Sequence, residues 1–179
     1  MNTGNATVVF LVRSANPADP VRNYTVEPGK YLAGTWNVAS FYGLKVYGPN
    51  GFVRYFHGSI GSNAAALDVR SRYRIECDDW NNPDSGRRAL IGWKVTNVAA
   101  HDAEVSVLDA YTGNNLLTAL LQPNDTFEDE LSLDQFYGWY DLIITVAGDP
   151  AFKYRLAGHV ETGKDSYSDP VLGGLSLKG

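Results

Sequence analysis

NTGNATVVFLV at residues 2–12 and NVAAHDAEVSV at residues 97–107 decide the fold, because these two stretches share one pattern. Each begins with an asparagine, passes through a polar segment and enters a run in which apolar residues alternate with others. That alternation predicts a strand with one buried face. The same offset of 95 residues relates Pro28 to Pro123, each in a turn that precedes a strand. Self-similarity at a fixed spacing predicts one structural unit built twice.

The correspondence continues to the end of each unit, where the offset grows to 100 residues. FVRYFHG at residues 52–58 then lies against FKYRLAG at residues 152–158. A few residues added between positions 137 and 150 account for the change, since hairpin loops tolerate insertions. The aligned Gly58 and Gly158 are expected where a side chain would clash or where φ is positive.

The composition favours strands over helices. Hydrophobic residues make up 44% and charged residues 20% of the 179-residue chain, which is ordinary for a globular protein with a buried core. Glycine, tyrosine, threonine and valine are plentiful, as in strands and turns. Strands are predicted near residues 6–12, 21–26, 33–38, 42–47, 52–58 and 66–76, and near residues 88–97, 103–110, 115–121, 127–133, 139–147 and 151–160. Short strands separated by turns predict an all-β fold of two tandem immunoglobulin-like β-sandwiches.

The two units are predicted at residues 1–78 and 88–179, joined by an acidic, Pro/Gly-containing linker at residues 79–87. The second unit opens with RALIGWKVTN at residues 88–97, a strand that leads into its asparagine. Only Met1 precedes the matching Asn2, so the first unit is expected to lack its opening strand. An unpaired edge would result.

Charge and hydropathy exclude several classes of protein. The net charge of −5 and the pI near 5.1 argue against nucleic acid as a partner. No apolar run is long enough to predict a transmembrane segment, and the N-terminus does not have the pattern of a signal peptide. One cysteine, Cys77, excludes an internal disulfide and is expected to be a small buried residue near a strand end.

The histidines, serines and acidic residues are the candidates for catalysis or metal binding. His57, His101 and His159 lie far apart without HExxH spacing, and no GxSxG motif occurs, so neither a zinc site nor a serine nucleophile is predicted. Acidic residues cluster at positions 125–134 and 78–84. A solvated face is the favoured interpretation, with weak calcium binding as the alternative. We expect no cofactor, no metal and no catalytic residues.

Aromatic residues provide the candidate surface contacts. Trp80 lies in the linker, where exposure is expected. Trp139 and Tyr140 are adjacent in a strand and must point to opposite faces, so one of them is expected at the surface. His159 ends a strand and completes the set of candidate contacts.

The chain also resembles a known family. YTVEPG at 24–29, GPNGF at 48–52 and RYFHG at 54–58 look like the first C-terminal repeat of bacterial phosphocholine-specific phospholipases C. GWYDL at 138–142, DPAF at 149–152, AGHVETG at 157–163 and SDP at 168–170 are similar to the closing segment of those enzymes. Unit one departs from the family pattern at Tyr42-Gly43, where a Tyr-Asp pair is usual, and at His57, where a small residue is common.

The resemblance implies an exported enzyme whose N-terminal domain hydrolyses choline phospholipids, and in which the two C-terminal repeats are not catalytic. This chain would then be an accessory module of a secreted protein. Its expected partners are the catalytic domain of the same parent chain and, as an alternative, a phospholipid surface. A second hypothesis is an independent β-sandwich that binds carbohydrate or protein.

Overall fold

The computed structural model describes residues 1–77, 86–165, 167–171 and 173. Eleven strands account for the fold: β1 Val8–Ser14, β2 Arg22–Val26, β3 Phe41–Tyr47, β4 Val53–Ser59, β5 Leu67–Glu76, β6 Arg88–Asn97, β7 Ala103–Asp109, β8 Asn115–Leu121, β9 Thr126–Ser132, β10 Trp139–Val146 and β11 Asp149–His159. Beyond one 3₁₀ turn at Asp134–Phe136, the described residues form no helix. The predicted all-β class is confirmed.

The strands form two antiparallel sheets. The larger has eight strands in the order β2-β1-β3-β4-β11-β10-β7-β8, and the smaller has three in the order β5-β6-β9. The order of the eight strands is symmetric about its centre. Going outward from the centre, β4, β3, β1 and β2 on one side correspond to β11, β10, β7 and β8 on the other. We call β1–β4 the first half and β7, β8, β10 and β11 the second half of this sheet.

The two halves meet edge to edge through β4 and β11. Tyr55 lies opposite Arg155, and Val53 lies opposite Ala157. Residues 55 and 155 are also counterparts in the sequence alignment. The two halves are therefore arranged around a local two-fold axis that passes through the Tyr55–Arg155 pair.

Asn2 and Asn97 hold the corresponding corners with the same set of hydrogen bonds. The Asn2 side-chain amide donates to the carbonyls of Ala6 and Val26, at 2.7 and 2.9 Å. The Asn97 amide donates to the carbonyls of His101 and Leu121, at 2.8 and 2.9 Å. Each asparagine thereby ties the start of one strand to the end of its hairpin partner.

The hydrophobic core lies between the three-stranded sheet and the second half of the large sheet. Ile91 and Val95 of β6 pack with Val105, Leu142 and their neighbours, all of them fully buried. Alternate residues of each strand point inward, as the pleat requires. Full burial of an aliphatic side chain stabilises the fold by about 1.5–3 kcal/mol.

Three expectations need correction or comment. Residues 33–38 do not form a strand, because none of the described strands lies beside them. Their counterpart in the second half, β9, pairs with β6. Cys77 is exposed rather than buried, since it follows the end of β5. β5 falls within the first predicted unit in sequence, yet it pairs along its length with β6, from Leu67 opposite Asn97 to Glu76 opposite Arg88.

Candidate functional site

A groove of about 710 Å³ lies on the face of the large sheet that points away from the three-stranded sheet. It crosses the junction of the two halves. We call it the outer groove. Its walls and floor include Lys45, Tyr47, Val53, Tyr55, Tyr111, Trp139, Asp141, Lys153, Arg155 and Asp169.

Two lysines of the outer groove, Lys45 and Lys153, form no ion pair with a carboxylate of the described residues. Lys45 and Lys153 are exposed, and the Lys45 ammonium lies 5.5 Å from the centre of the Tyr55 ring, which is a cation–π distance. Arg155 differs, because its guanidinium makes a two-point hydrogen bond with the buried carboxylate of Asp141. That bond raises the pKa of Arg155.

The first half lacks this ion pair. Gly43 and Tyr55 stand where the second half has Asp141 and Arg155, and Gly43 is one of the sequence departures noted above. The outer groove is therefore chemically asymmetric, with an ion pair on one side of the local axis and a tyrosine ring with a lysine on the other.

Trp139 lines the outer groove and is half-buried. Its indole nitrogen donates to the carbonyl of Tyr167 at 2.8 Å. Its ring lies against His159, with 4.7 Å between ring centres, and a Cβ on Gly51 would come within 2.4 Å of it. The ring therefore packs between the turn at Gly51 and the His159 ring.

Tyr140 and His159 are not at the surface, which corrects their assignment as surface contacts. Tyr140 points to the inner face of the sheet, opposite to its strand neighbour Trp139, and it is 1% exposed. His159 is buried because its imidazole bridges Glu161 and the carbonyl of Tyr137, at 3.1 and 2.9 Å. Trp80 lies outside the described residues.

Arg54 forms a second polar cluster, on the inner face of the sheet, which no sequence pattern indicated. Its side chain is 7% exposed and donates to the Ala157 carbonyl, the Ser71 hydroxyl and the Tyr140 hydroxyl, at 3.0, 3.0 and 3.1 Å. A buried guanidinium surrounded by neutral acceptors is unusual. The cluster links β4 to β5, β10 and β11, so it fastens the two halves and the two sheets together.

Tyr42 and Tyr154 repeat this contact across the local axis. Their hydroxyl groups lie 2.9 Å apart, and Tyr42 and Tyr154 are the counterparts of Tyr140 and Arg54. Burial raises the pKa of all three tyrosines, and the mutual hydrogen bond raises the pKa of Tyr154 further. These phenols act as structural hydrogen-bonding groups near neutral pH.

We expect the protein to lose stability as the pH rises above about 10, the ordinary pKa of tyrosine. In that range the unfolded chain has lost phenolic protons that the native state retains, so the unfolding free energy falls with pH. Thermal melts from pH 8 to 12 measure the effect. Tyr154→Phe should flatten the decline, because it removes one of the raised groups, and an unchanged slope would contradict this explanation.

The remaining polar candidates make structural contacts. Within the described ranges, no group of three histidine, cysteine or acidic side chains is placed to hold a metal. The predicted acidic face carries ion pairs, for example Glu128 with Lys94 at 2.7 Å. His57 contacts the carbonyl of Ala151. No helix in the same ranges has the length and apolar character that crossing a bilayer would require.

Comparison with known proteins places this geometry in a family. The sequence model described as "Bacterial phospholipase C, C-terminal domain" matches residues 1–59 and 63–159. The chain is 34% identical over 178 residues to a non-hemolytic phospholipase C of Burkholderia pseudomallei, covering 96% of this chain and 24% of that protein. It is 33% identical over 187 residues to a hemolytic phospholipase C of Pseudomonas aeruginosa, covering 94% of this chain and 24% of that protein.

A non-hemolytic phospholipase C of Pseudomonas aeruginosa is 29% identical over 177 residues. The chain spans about a quarter of the length of these relatives. The family model covers most of the all-β fold, including the inner polar cluster and all of the outer groove except the part lined by residues beyond 159. The chain therefore belongs to the bacterial phospholipase C, C-terminal domain family.

Proposed function

We propose that this chain is a non-catalytic accessory module at the C-terminal end of a secreted bacterial phospholipase C that hydrolyses phosphatidylcholine-type lipids. One observation carries the proposal: nearly the whole chain matches a family described as a C-terminal domain, and the relatives are about four times as long. His57, His159 and the buried acids Asp109 and Asp141 make local structural contacts, as expected of a scaffold.

The module consists of two copies of one unit. The matching asparagine corners, the symmetric strand order and the self-paired position 55/155 support this duplication. Edge pairing between β4 and β11 buries one edge of each copy, which removes two edges prone to aggregation.

The outer groove is the proposed contact surface for the catalytic domain of the same parent chain. It offers two ammonium groups, Lys45 and Lys153, beside the rings of Tyr47, Tyr55 and Trp139. Aromatic residues are enriched in protein interfaces, and the rim around them is polar and accessible to solvent. The alternative occupant is a phospholipid surface, whose phosphates the same lysines could neutralise.

The experiment reverses the charges of Lys45 and Lys153. Purified alone, the chain should show no hydrolysis of phosphatidylcholine, and it should bind the separately produced catalytic domain in a calorimetric titration. The double variant Lys45→Glu/Lys153→Glu should weaken binding at least about tenfold, or roughly 1.4 kcal/mol. Lys30→Glu, an exposed lysine outside the groove, is the matched control.

Two results would contradict the proposal. Turnover that a single substitution abolishes would show a catalytic module. Equal binding by the double variant and the control would remove the outer groove as the contact. Co-sedimentation with phosphatidylcholine vesicles, tested with the same three proteins, separates the lipid surface from the catalytic domain.

A carbohydrate- or protein-binding module is the second candidate function. The observation that favours it is the set of aromatic rings lining the outer groove, in which Tyr47 is exposed and Trp139 is half-buried. A glycan array with the native chain and a Tyr47→Ala variant tests it, and a ring-dependent signal would favour this function.

A further inference from the structure

The first half of the large sheet has an apolar face that the described residues cover only in part: Val12 and Val26 are buried, whereas Phe10 and Phe56 stay partly exposed. In the second half, Leu142 is 0% and Ile144 1% exposed. Their counterparts Leu44 and Val46 are only partly buried. Every member of the buried core cluster lies at or beyond residue 65. We call this surface of the first half the open face.

In the second half, β6 provides the cover. Its inward residues alternate along the strand: Ala89, Ile91, Trp93 and Val95, each 0–4% exposed. The strand then runs directly into the asparagine corner at Asn97. Asn2 forms the same corner in the first half, so the position equivalent to β6 lies directly before Asn2 in the chain.

The segment that would pair with such a strand is present. Residues 31–37 are the counterpart of β9, which pairs with β6. They form no strand, and Tyr31 and Leu32 are 73% and 54% exposed. Trp36 is held by the guanidinium of Arg22, 3.8 Å from its ring. A groove of about 250 Å³ remains between this segment and the open face, lined by Phe10, Leu32, Trp36, Leu44 and Phe56.

The family match shows how much of the pattern the first half lacks. The stretch that begins at residue 63 includes β5 and β6 before it reaches Asn97. The stretch that begins at residue 1 reaches Asn2 at once. Since the relatives are about four times as long as this chain, polypeptide is available to complete the pattern.

We propose that the residues immediately upstream of Met1 in the full-length protein form a β-strand that lies on the open face and pairs with residues 31–37. The strand carries apolar side chains at the positions two, four, six and eight residues before Asn2, as Val95, Trp93, Ile91 and Ala89 precede Asn97. The inference rests on the proposed function, because it requires a parent chain that continues upstream. It identifies the site where that chain enters the module.

A graft of the chain's own strand tests the fit. RALIGWKVT, residues 88–96, is placed directly before Asn2 after a start methionine. The matched control graft replaces Ala, Ile, Trp and Val at the four inward positions with serine. The first graft should raise the midpoint of thermal unfolding by more than about 4 °C and suppress binding of the dye ANS, which reports exposed apolar surface. The control graft should do neither.

Equal melting points and equal dye binding for the two grafts would overturn the proposal.

The full-length protein supplies a second measurement if the graft does not fold. Hydrogen exchange at residues 31–37 should be slow in the full-length protein and fast in the 179-residue chain. Serine at the four inward positions of the native upstream segment should make exchange fast, whereas serine at the intervening positions should not. Fast exchange in both proteins would overturn the strand, while the binding and hydrolysis assays of the proposed function would be unaffected.

Discussion

Leu142→Ala is expected to destabilise the protein by about 3–5 kcal/mol, among the largest effects available from a single truncation. Leu142 of β10 is fully buried in the core, where the second half of the large sheet packs on β6. Alanine would lose the transfer free energy of the removed carbons and would leave a cavity that the surrounding strands cannot close. Urea denaturation followed by tryptophan fluorescence measures the change.

The matched control is Leu44→Ala, the counterpart substitution in the first half. Leu44 lies on the open face and is only partly buried, so the expected cost is about half as large or less. In a full-length protein with the open face covered, the two costs should approach each other. Equal losses in the 179-residue chain would show that both halves are packed alike, contrary to the structure.

Gly158→Val is the second large effect, at an expected cost of at least about 2 kcal/mol. A Cβ at Gly158 would stand 2.8 Å from the Tyr140 hydroxyl oxygen and 3.1 Å from the ring carbon that bears it. Valine would push aside a buried ring whose hydroxyl bonds Arg54 and lies 2.7 Å from the Tyr73 hydroxyl. The thermal melting temperature reports the loss.

Lys153→Val is the control, since it introduces valine into the same strand at an exposed, outward position. A small effect there would assign the cost of Gly158→Val to the clash with Tyr140. Gly58→Val should also be costly, because its Cβ would lie 2.5 Å from the Tyr42 hydroxyl oxygen. Identical melting temperatures for Gly158→Val and Lys153→Val would contradict the argument.

The glycine pair shows how far sequence reasoning reached. The alignment indicated that Gly58 and Gly158 occupy equivalent, sterically restricted sites. Neither residue has a positive φ, so the restriction comes from a tyrosine ring on the neighbouring strand. The partner could not be identified from sequence, because it lies 16 or 18 residues away and is set by strand register.

The orientation of Trp139 and Tyr140 could likewise be predicted only in part from the sequence. Period-two alternation correctly predicted that Trp139 and Tyr140 point to opposite faces. It could not say which face is the interior, and the structure places Tyr140 inside with Arg54. Arg54 itself has no sequence signal, because a buried arginine becomes acceptable only when hydroxyl and carbonyl acceptors from several strands converge on it.

The amino-acid sequence by itself determined eleven of the twelve predicted strands and indicated the correspondence between the two halves, because alternation and turn chemistry are local properties. Only the tertiary structure decided that β4 and β11 join the halves into one sheet, that β5 pairs with β6, and that residues 33–38 stay irregular. Strand pairing joins residues distant in the chain, and a segment becomes a strand only when a neighbour accepts its backbone hydrogen bonds.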